Sequence, residues 1–498
     1  MFNFDLQKIL QIFEYNQGDP LLFGTSSFLI TFFFLLVIYR LLSKYKNPRI
    51  LFLIFFSLFF YYKAAGIYFL LLIFSAISNF YFGKWMAYYK KQTPRRLILL
   101  SSLILNLGLL GYFKYTNFFI KIVTDLSAGS FDPVDIFLPI GISFYTFKSL
   151  SYVLDIYFEA MEPTKSFRDF SLFVFFFPNI LAGPIDRASQ FLPQLEEEFF
   201  ISKADIGRAL LLIIAGLIKK NMIADYISLN FVDRVLGDPL RFTGTENLFA
   251  VYGYALQIYC DFSGYSDIAI GIGLLLGFKL MDNFNSPYQA TSIADFWRRW
   301  HISLSSWLLD YLFRPLQMKF RNLRNYGNAI ALLITFLLCG LWHGASWSFV
   351  LWGALHGFYM SFALLFQKPK NKFYKKIGLF NTKLLRVGQV FITFHLIVFT
   401  WIFFKVSDFD KAFNILDQIF NFFKPEVVPQ FIESFTPTFV LIVFGYVLHF
   451  LPRSLELKTA DQLSKLPFVI QALVLALVIW VVAQVQSADL QPFIYFQF

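Results

Sequence analysis

Four apolar runs fill most of residues 21–112, at positions 21–42, 50–62, 64–82 and 97–112. The loop after the first holds Arg40, Lys44, Lys46 and Arg49, and the loop after the third holds Lys84, Lys90, Lys91, Arg95 and Arg96, with no acid in either. A membrane span needs about 20 apolar residues, and cytoplasmic loops collect Lys and Arg. This pattern constrains the fold most: both basic loops are expected in the cytoplasm, and the N-terminus and Lys63 outside. Only 15% of the 498 residues are charged, against about 25% in soluble domains. The expected fold is an all-α polytopic membrane protein, a single integral-membrane domain over residues 1–498 with roughly ten or more spans. The net charge of +11 sits in short loops between spans, so the chain is expected to meet the lipid bilayer and no nucleic acid. Asp5, Glu14 and Asp19 with no basic cluster argue against a cleavable signal peptide.

Two later stretches are irregular. LPIGISFYTFKSLSYVLDIYF, residues 138–158, is span-length but holds Pro139, Gly141, Lys148 and Asp155. FFPNILAGPIDR, residues 176–187, interrupts an apolar run with Pro178, Gly183 and Pro184. Helix breakers at membrane depth are tolerated where protein or a wet cavity satisfies the freed backbone. Both segments are read as broken or re-entrant, a kinked span and a surface turn being the alternative. Lys219 and Lys220 are expected to end a span and reach to the interface. Asp261 and Asp267 flank Ser-Gly-Tyr-Ser, which predicts a helix break between runs 247–262 and 268–280; the two acids are capping groups or substrate contacts. Residues 368–386 carry seven basic groups and no acid, so they are placed in the cytoplasm, and both termini outside.

Residues 291–357 concentrate the chemistry, with three of the five histidines and six of the nine tryptophans. Thr291 or Ser292 can cap a helix. In that helix Trp297, Trp300, His301, Leu304 and Leu308 share a face, with Arg298 and Arg299 beside it, and Arg314-Pro315 is expected to end it. Residues 328–342 span only about 22 Å as helix, short of a hydrocarbon core of about 30 Å. The turn Trp342-His343-Gly344-Ala345-Ser346-Trp347 is therefore expected within the membrane's thickness. An intramembrane histidine is a candidate for function, and imidazole suits proton transfer near neutral pH; a hydrogen bond to a neighbouring helix is the structural alternative. His356 is expected to pack, and His395 and His449 have no polar company in sequence. No metal-ligand spacing, nucleotide loop or nucleophile-elbow motif occurs, so no bound cofactor or metal is expected.

The blocks LPIGISFYTFKSLSYVLDIY, FFPNILAGPIDR, QIYCDFSGYSDIAIGIGLLLGF, FWRRWHISLSSWLLDYLFRPL, CGLWHGASWSFVLWGALHG and FTWIFFKVSDFDKAF run in order over residues 138–413. Through them the chain resembles the membrane-bound O-acyltransferase family, most nearly its bacterial alginate O-acetyltransferase-like branch. QMKFRNLRNYGN departs from that branch in lacking a glycine-rich turn. The resemblance implies about 10–12 transmembrane helices around a central catalytic cavity. It implies His343, in the W-H-G motif, and His301 as catalytic residues. Trp297, Arg298, Arg299, Trp342, Trp347, Asp261 and Asp267 follow as candidate substrate or donor contacts. It further implies acetyl-CoA as cytoplasmic donor, a polysaccharide acceptor, a periplasmic acetyltransferase partner and the bacterial inner membrane as location. D-alanyl transfer to teichoic acid is the enzyme alternative. A glycan or acyl transporter, with broken helices at midplane, is the alternative of another class.

Overall fold

The computed structural model describes residues 14–16, 20–127, 129–485 and 493–494, which fold as helices and connecting loops with no strand among them. The expected outward placement of both termini falls on residues outside this set. Six helical stretches are long and apolar enough to cross a membrane, seven when the pair Pro425–Ser434 and Thr436–Phe450, bent by 99°, counts as one. The 32-residue helix Gly244–Leu275 and the shorter helices fall outside that set. The chain groups into two compact units, residues 1–209 with 268–281, and residues 210–267 with 282–498.

The first unit contains α1 (Ser26–Leu41), α2 (Lys46–Ala65), α3 (Phe69–Tyr88), α4 (Gln92–Leu126), α5 (Ile142–Tyr157) and α6 (Phe167–Phe175). Thr25 caps α1, its Oγ1 accepting from the Phe28 amide at 3.1 Å. Helices α3 and α4 are joined by polar groups inside apolar sequence: Asn79 and Asn106 exchange amide hydrogen bonds of 3.0 and 2.9 Å. Reciprocal amides of this kind bind helices together where lipid supplies no hydrophobic drive. Helix α5 begins after Gly141, whose φ of +80° is left-handed and whose added Cβ would stand 2.7 Å from the Ile180 carbonyl oxygen. Both constraints select glycine.

Residues 176–187 are broken as expected. A short helix, α7 (Phe177–Ile180), is followed by residues 181–187, which are non-helical and buried. Protein groups satisfy the irregular backbone and its side chains. The Phe177 amide donates to Ser57 Oγ at 3.2 Å. Fully buried Lys148 Nζ donates to Asn179 Oδ1 at 2.8 Å, and Asn179 Nδ2 donates to Asp186 Oδ2 at 2.6 Å. The other Asp186 oxygen accepts the Met281 amide at 2.9 Å. One Lys–Asn–Asp relay thus ties α5 to both ends of the broken segment.

Two expectations fail in the second unit, each for a packing reason. Helix α8 (Gly244–Leu275) runs 32 residues without a break at Ser263-Gly264-Tyr265-Ser266. Gly264 instead permits close approach: an added Cβ would stand 2.9 Å from the Gly216 carbonyl oxygen. Lys219 and Lys220 do not reach to an interface. They lie on a π-helical turn, Ile218–Ala224, where Lys219 pairs with Asp267 at 2.6 Å and Lys220 with Asp261 at 2.6 Å and Asp225 at 2.7 Å. The wide turn aims two successive lysines at acids of α8 and, for Lys220, also at Asp225 just past the turn.

Candidate active site

The site is built on α9 (Ile293–Trp297), α10 (Ile302–Leu308), α11 (Arg314–Lys319), α12 (Arg324–His343), α13 (Trp347–Leu365) and α14 (Lys383–Lys405), all in the second unit. Ser292 caps α9 as expected, its Oγ accepting from the Asp295 amide at 3.1 Å. The single helix expected through Leu308 does not form. It stops at Trp297 because His301 takes φ 44° and ψ 53°, a left-handed conformation that costs a non-glycine residue about 1–3 kcal/mol. Two backbone bonds hold the kink: the Asn285 amide donates to the Arg299 carbonyl at 2.9 Å, and the Ile302 amide to the Asn283 carbonyl at 3.0 Å. Nor does Pro315 end the helical path. It comes just after a π-helical turn, Leu309–Phe313, a local widening of the helix of the kind that goes with a proline.

The kink sends His301 inward and leaves it fully buried. Its ring lies edge-on to Phe262 at 4.6 Å. His343 is the last residue of α12 and is also buried. Its ring sits among Trp342 and Trp352, each at 4.9 Å, and Phe404 at 5.1 Å. The Trp342 ring is 6.3 Å from His301. The two histidines, 42 residues apart in sequence, therefore share one tryptophan as a common wall.

The α12–α13 hairpin is longer than the sequence suggested. Helical structure runs from Arg321 to His343, 23 residues and about 34 Å, enough to cross the hydrocarbon core. Helix length therefore gives no ground for placing the turn inside the bilayer. The hairpin is tight for a different reason. Added Cβ atoms at Gly340 and Gly353 would overlap the Phe349 and Phe336 carbonyl oxygens, and each would stand 3.1 Å from the other glycine's Cα. Gly340→Ala is expected to destabilise the fold by about 1–3 kcal/mol, the usual cost of overpacking. A melting temperature in detergent within error of the wild type would contradict this.

The other candidate residues divide by surroundings. Trp297 is buried, and its Nε1 donates to His356 Nδ1 at 3.2 Å. Arg298 is exposed, while Arg299 pairs with Asp295 at 2.9 Å. Trp342 walls the histidines, whereas Trp347 is 55% exposed. Asp267 is engaged by Lys219. Asp261 is engaged by Lys220 and accepts the Ile494 amide at 2.8 Å. His356 has both ring nitrogens occupied, Nε2 lying 3.1 Å from Thr400 Oγ1. His395 and His449 have polar partners that the sequence did not show: Tyr252 OH at 2.9 Å from His395 Nε2, and the Tyr288 amide at 3.1 Å from His449 Nε2. Sequence reasoning missed Asn283, Trp352 and Phe404. Asn283 had one usable signal, an amide in the short polar segment MDNFNS before the kink.

The family model for membrane-bound O-acyltransferases matches residues 159–407, a stretch that includes both histidines and their walls. The chain belongs to the membrane-bound O-acyltransferase family. It is an acyltransferase and a multi-pass membrane protein. Among its relatives is a peptidoglycan O-acetyltransferase of Helicobacter pylori, 32% identical over 81% of this chain and 83% of the relative. A probable alginate O-acetylase of Azotobacter vinelandii is 37% identical over 67% of this chain and 64% of the relative. A teichoic acid D-alanyltransferase of Bacillus subtilis is 29% identical over 54% of this chain and 69% of the relative.

Proposed function

We propose that this membrane-bound O-acyltransferase carries an acetyl group from cytoplasmic acetyl-CoA toward hydroxyls of an extracytoplasmic polysaccharide, through a periplasmic acetyltransferase partner, at the bacterial inner membrane. The observation that supports it is the pair of buried histidines meeting across Trp342, inside the stretch matched by the family. His343 takes the proton of the accepting hydroxyl as its oxygen attacks the thioester carbonyl. The carbon–sulfur bond then breaks, and the CoA thiolate leaves and takes up a proton. Such base catalysis is worth about 10²–10⁴-fold. His301 assists the proton transfer, in a site walled by aromatic rings. The exposed Arg298, beside the kink, supplies charge complementary to a phosphate-bearing donor.

D-alanyl transfer is the second reading, favoured by the Bacillus subtilis relative. The acetyl-transferring relatives match with higher identity and over more of this chain. A transporter reading predicts that the thioester survives passage. Ester-linked acyl groups on secreted and wall glycans of wild-type and deletion cells test all three. The expected result is loss of acetyl esters from one glycan. Loss of alanyl esters selects the second reading, and unchanged CoA release in deletion membranes selects the third.

A further inference from the structure

We propose that Asn283 is the positioning residue of His301: its side-chain carbonyl decides which ring nitrogen carries the proton and turns the other toward the reacting atoms. The proposal rests on the reading that His301 takes part in the transfer.

Asn283 is 1% exposed and lies in the segment just before α9. Its Oδ1 accepts from Ser303 Oγ at 2.6 Å and from the Ser303 amide at 3.3 Å, and stands 3.4 Å from His301 Nδ1. Its Nδ2 donates to Ser266 Oγ on α8 at 3.1 Å. Its backbone carbonyl accepts the Ile302 amide. One residue thus touches 301, 302 and 303 in succession, the left-handed residue and the first two residues of α10.

The orientation of the amide is fixed by chemistry. A backbone N–H can only donate, so the atom facing the Ser303 amide is the oxygen, and the NH₂ faces the Ser266 hydroxyl. An amide oxygen only accepts. In the neutral imidazole the nitrogen facing it, Nδ1, therefore bears the hydrogen, and Nε2 keeps its lone pair for a proton in flight. Phe262, edge-on to the ring, restrains its plane. The strain at His301 has a consequence as well. Without the Asn283 contacts, the left-handed turn has less to hold it, and the ring loses its aim toward Trp342.

The test uses the full-length protein in its native membranes at matched abundance, with radiolabelled acetyl-CoA as the probe and alkali-labile label in glycan as the readout. Asn283→Leu, which keeps size but removes the acceptor, is expected to lower kcat about 10–100-fold with KM little changed, as loss of an orienting partner does. Asn283→Asp keeps an acceptor facing His301 and Ser303, and the Ser266 hydroxyl can turn to donate to it, so it is expected to recover most of the rate. In a His301→Ala background, Asn283→Leu is expected to lower the residual rate no further. Wild-type kcat in Asn283→Leu, a fall in Asn283→Asp as deep as in Asn283→Leu, or an equal further loss without His301 would each overturn the proposal. Wild-type activity in His301→Ala alone would instead remove the role of His301. Loss there with none in Asn283→Leu would sink only the positioning. The kcat and KM split and the recovery in Asn283→Asp are read independently of the double variant.

Discussion

His343→Ala is expected to lower acyl transfer by about 10²–10⁴-fold, the factor that a positioned base contributes. The protein should still accumulate in the membrane. Aromatic faces crowd the ring: Trp342, Trp352 and Phe404 surround it at 4.9–5.1 Å. Such walls hold an imidazole in one plane and exclude competing water. The variant that separates chemistry from packing is His343→Gln, which fills much of the volume but cannot act as a base. Loss in both variants, measured as CoA released from acetyl-CoA and as glycan acetyl esters, marks a chemical role. Recovery of activity in His343→Gln would show that the ring only fills space. The expected effect is on the catalytic step, so unchanged donor dependence with a reduced maximal rate is the signature.

Lys148→Met is expected to be the most damaging substitution for stability, at about 3–5 kcal/mol, because it strips a buried network of its cation and leaves Asp186 charged or forced to neutralise. Lys148, Asn179 and Asp186 are 0–3% exposed, so water does not replace the lost partner. The network also anchors the non-helical residues 181–187, whose buried backbone has no helix to satisfy it. Low membrane abundance and a depressed melting temperature in detergent are the expected readouts. Lys148→Met with Asp186→Asn removes both charges and should be less damaging than Lys148→Met alone, since the cost lies in the uncompensated partner. If the double variant is as unstable as the sum of its singles, the two groups act separately and the network reading is wrong.

Much of the site could be read from residues 291–357, where polar and aromatic side chains cluster in apolar sequence. The helix cap at Ser292, the break in residues 176–187 and the packing role of His356 were all legible. The uninterrupted α8 was not. Ser263-Gly264-Tyr265-Ser266 carries every local mark of a break, yet Gly264 is there to let the Gly216 backbone approach, a demand no local pattern records. The kink at His301 was also hidden. Its residues repeat at helical spacing, and only pairing with residues 283–285 diverts them.

The sequence by itself determined that this protein lives in a bilayer, because apolar runs with acid-free basic loops admit no other solvent. It also determined the two histidines worth testing, since a polar residue in such surroundings needs a partner or a task. Only the tertiary structure decided how they meet. Forty-two residues separate His301 from His343, and their shared wall at Trp342 depends on a left-handed turn held by Asn283 and a hairpin closed by Gly340 and Gly353. The same holds for Lys148, Lys219 and Lys220. Their partners lie 31 to 48 residues away, apart from Asp225 beside Lys220. In an apolar medium a charge must find its counterpart wherever the fold brings one, and periodicity along the chain carries no information about that distance.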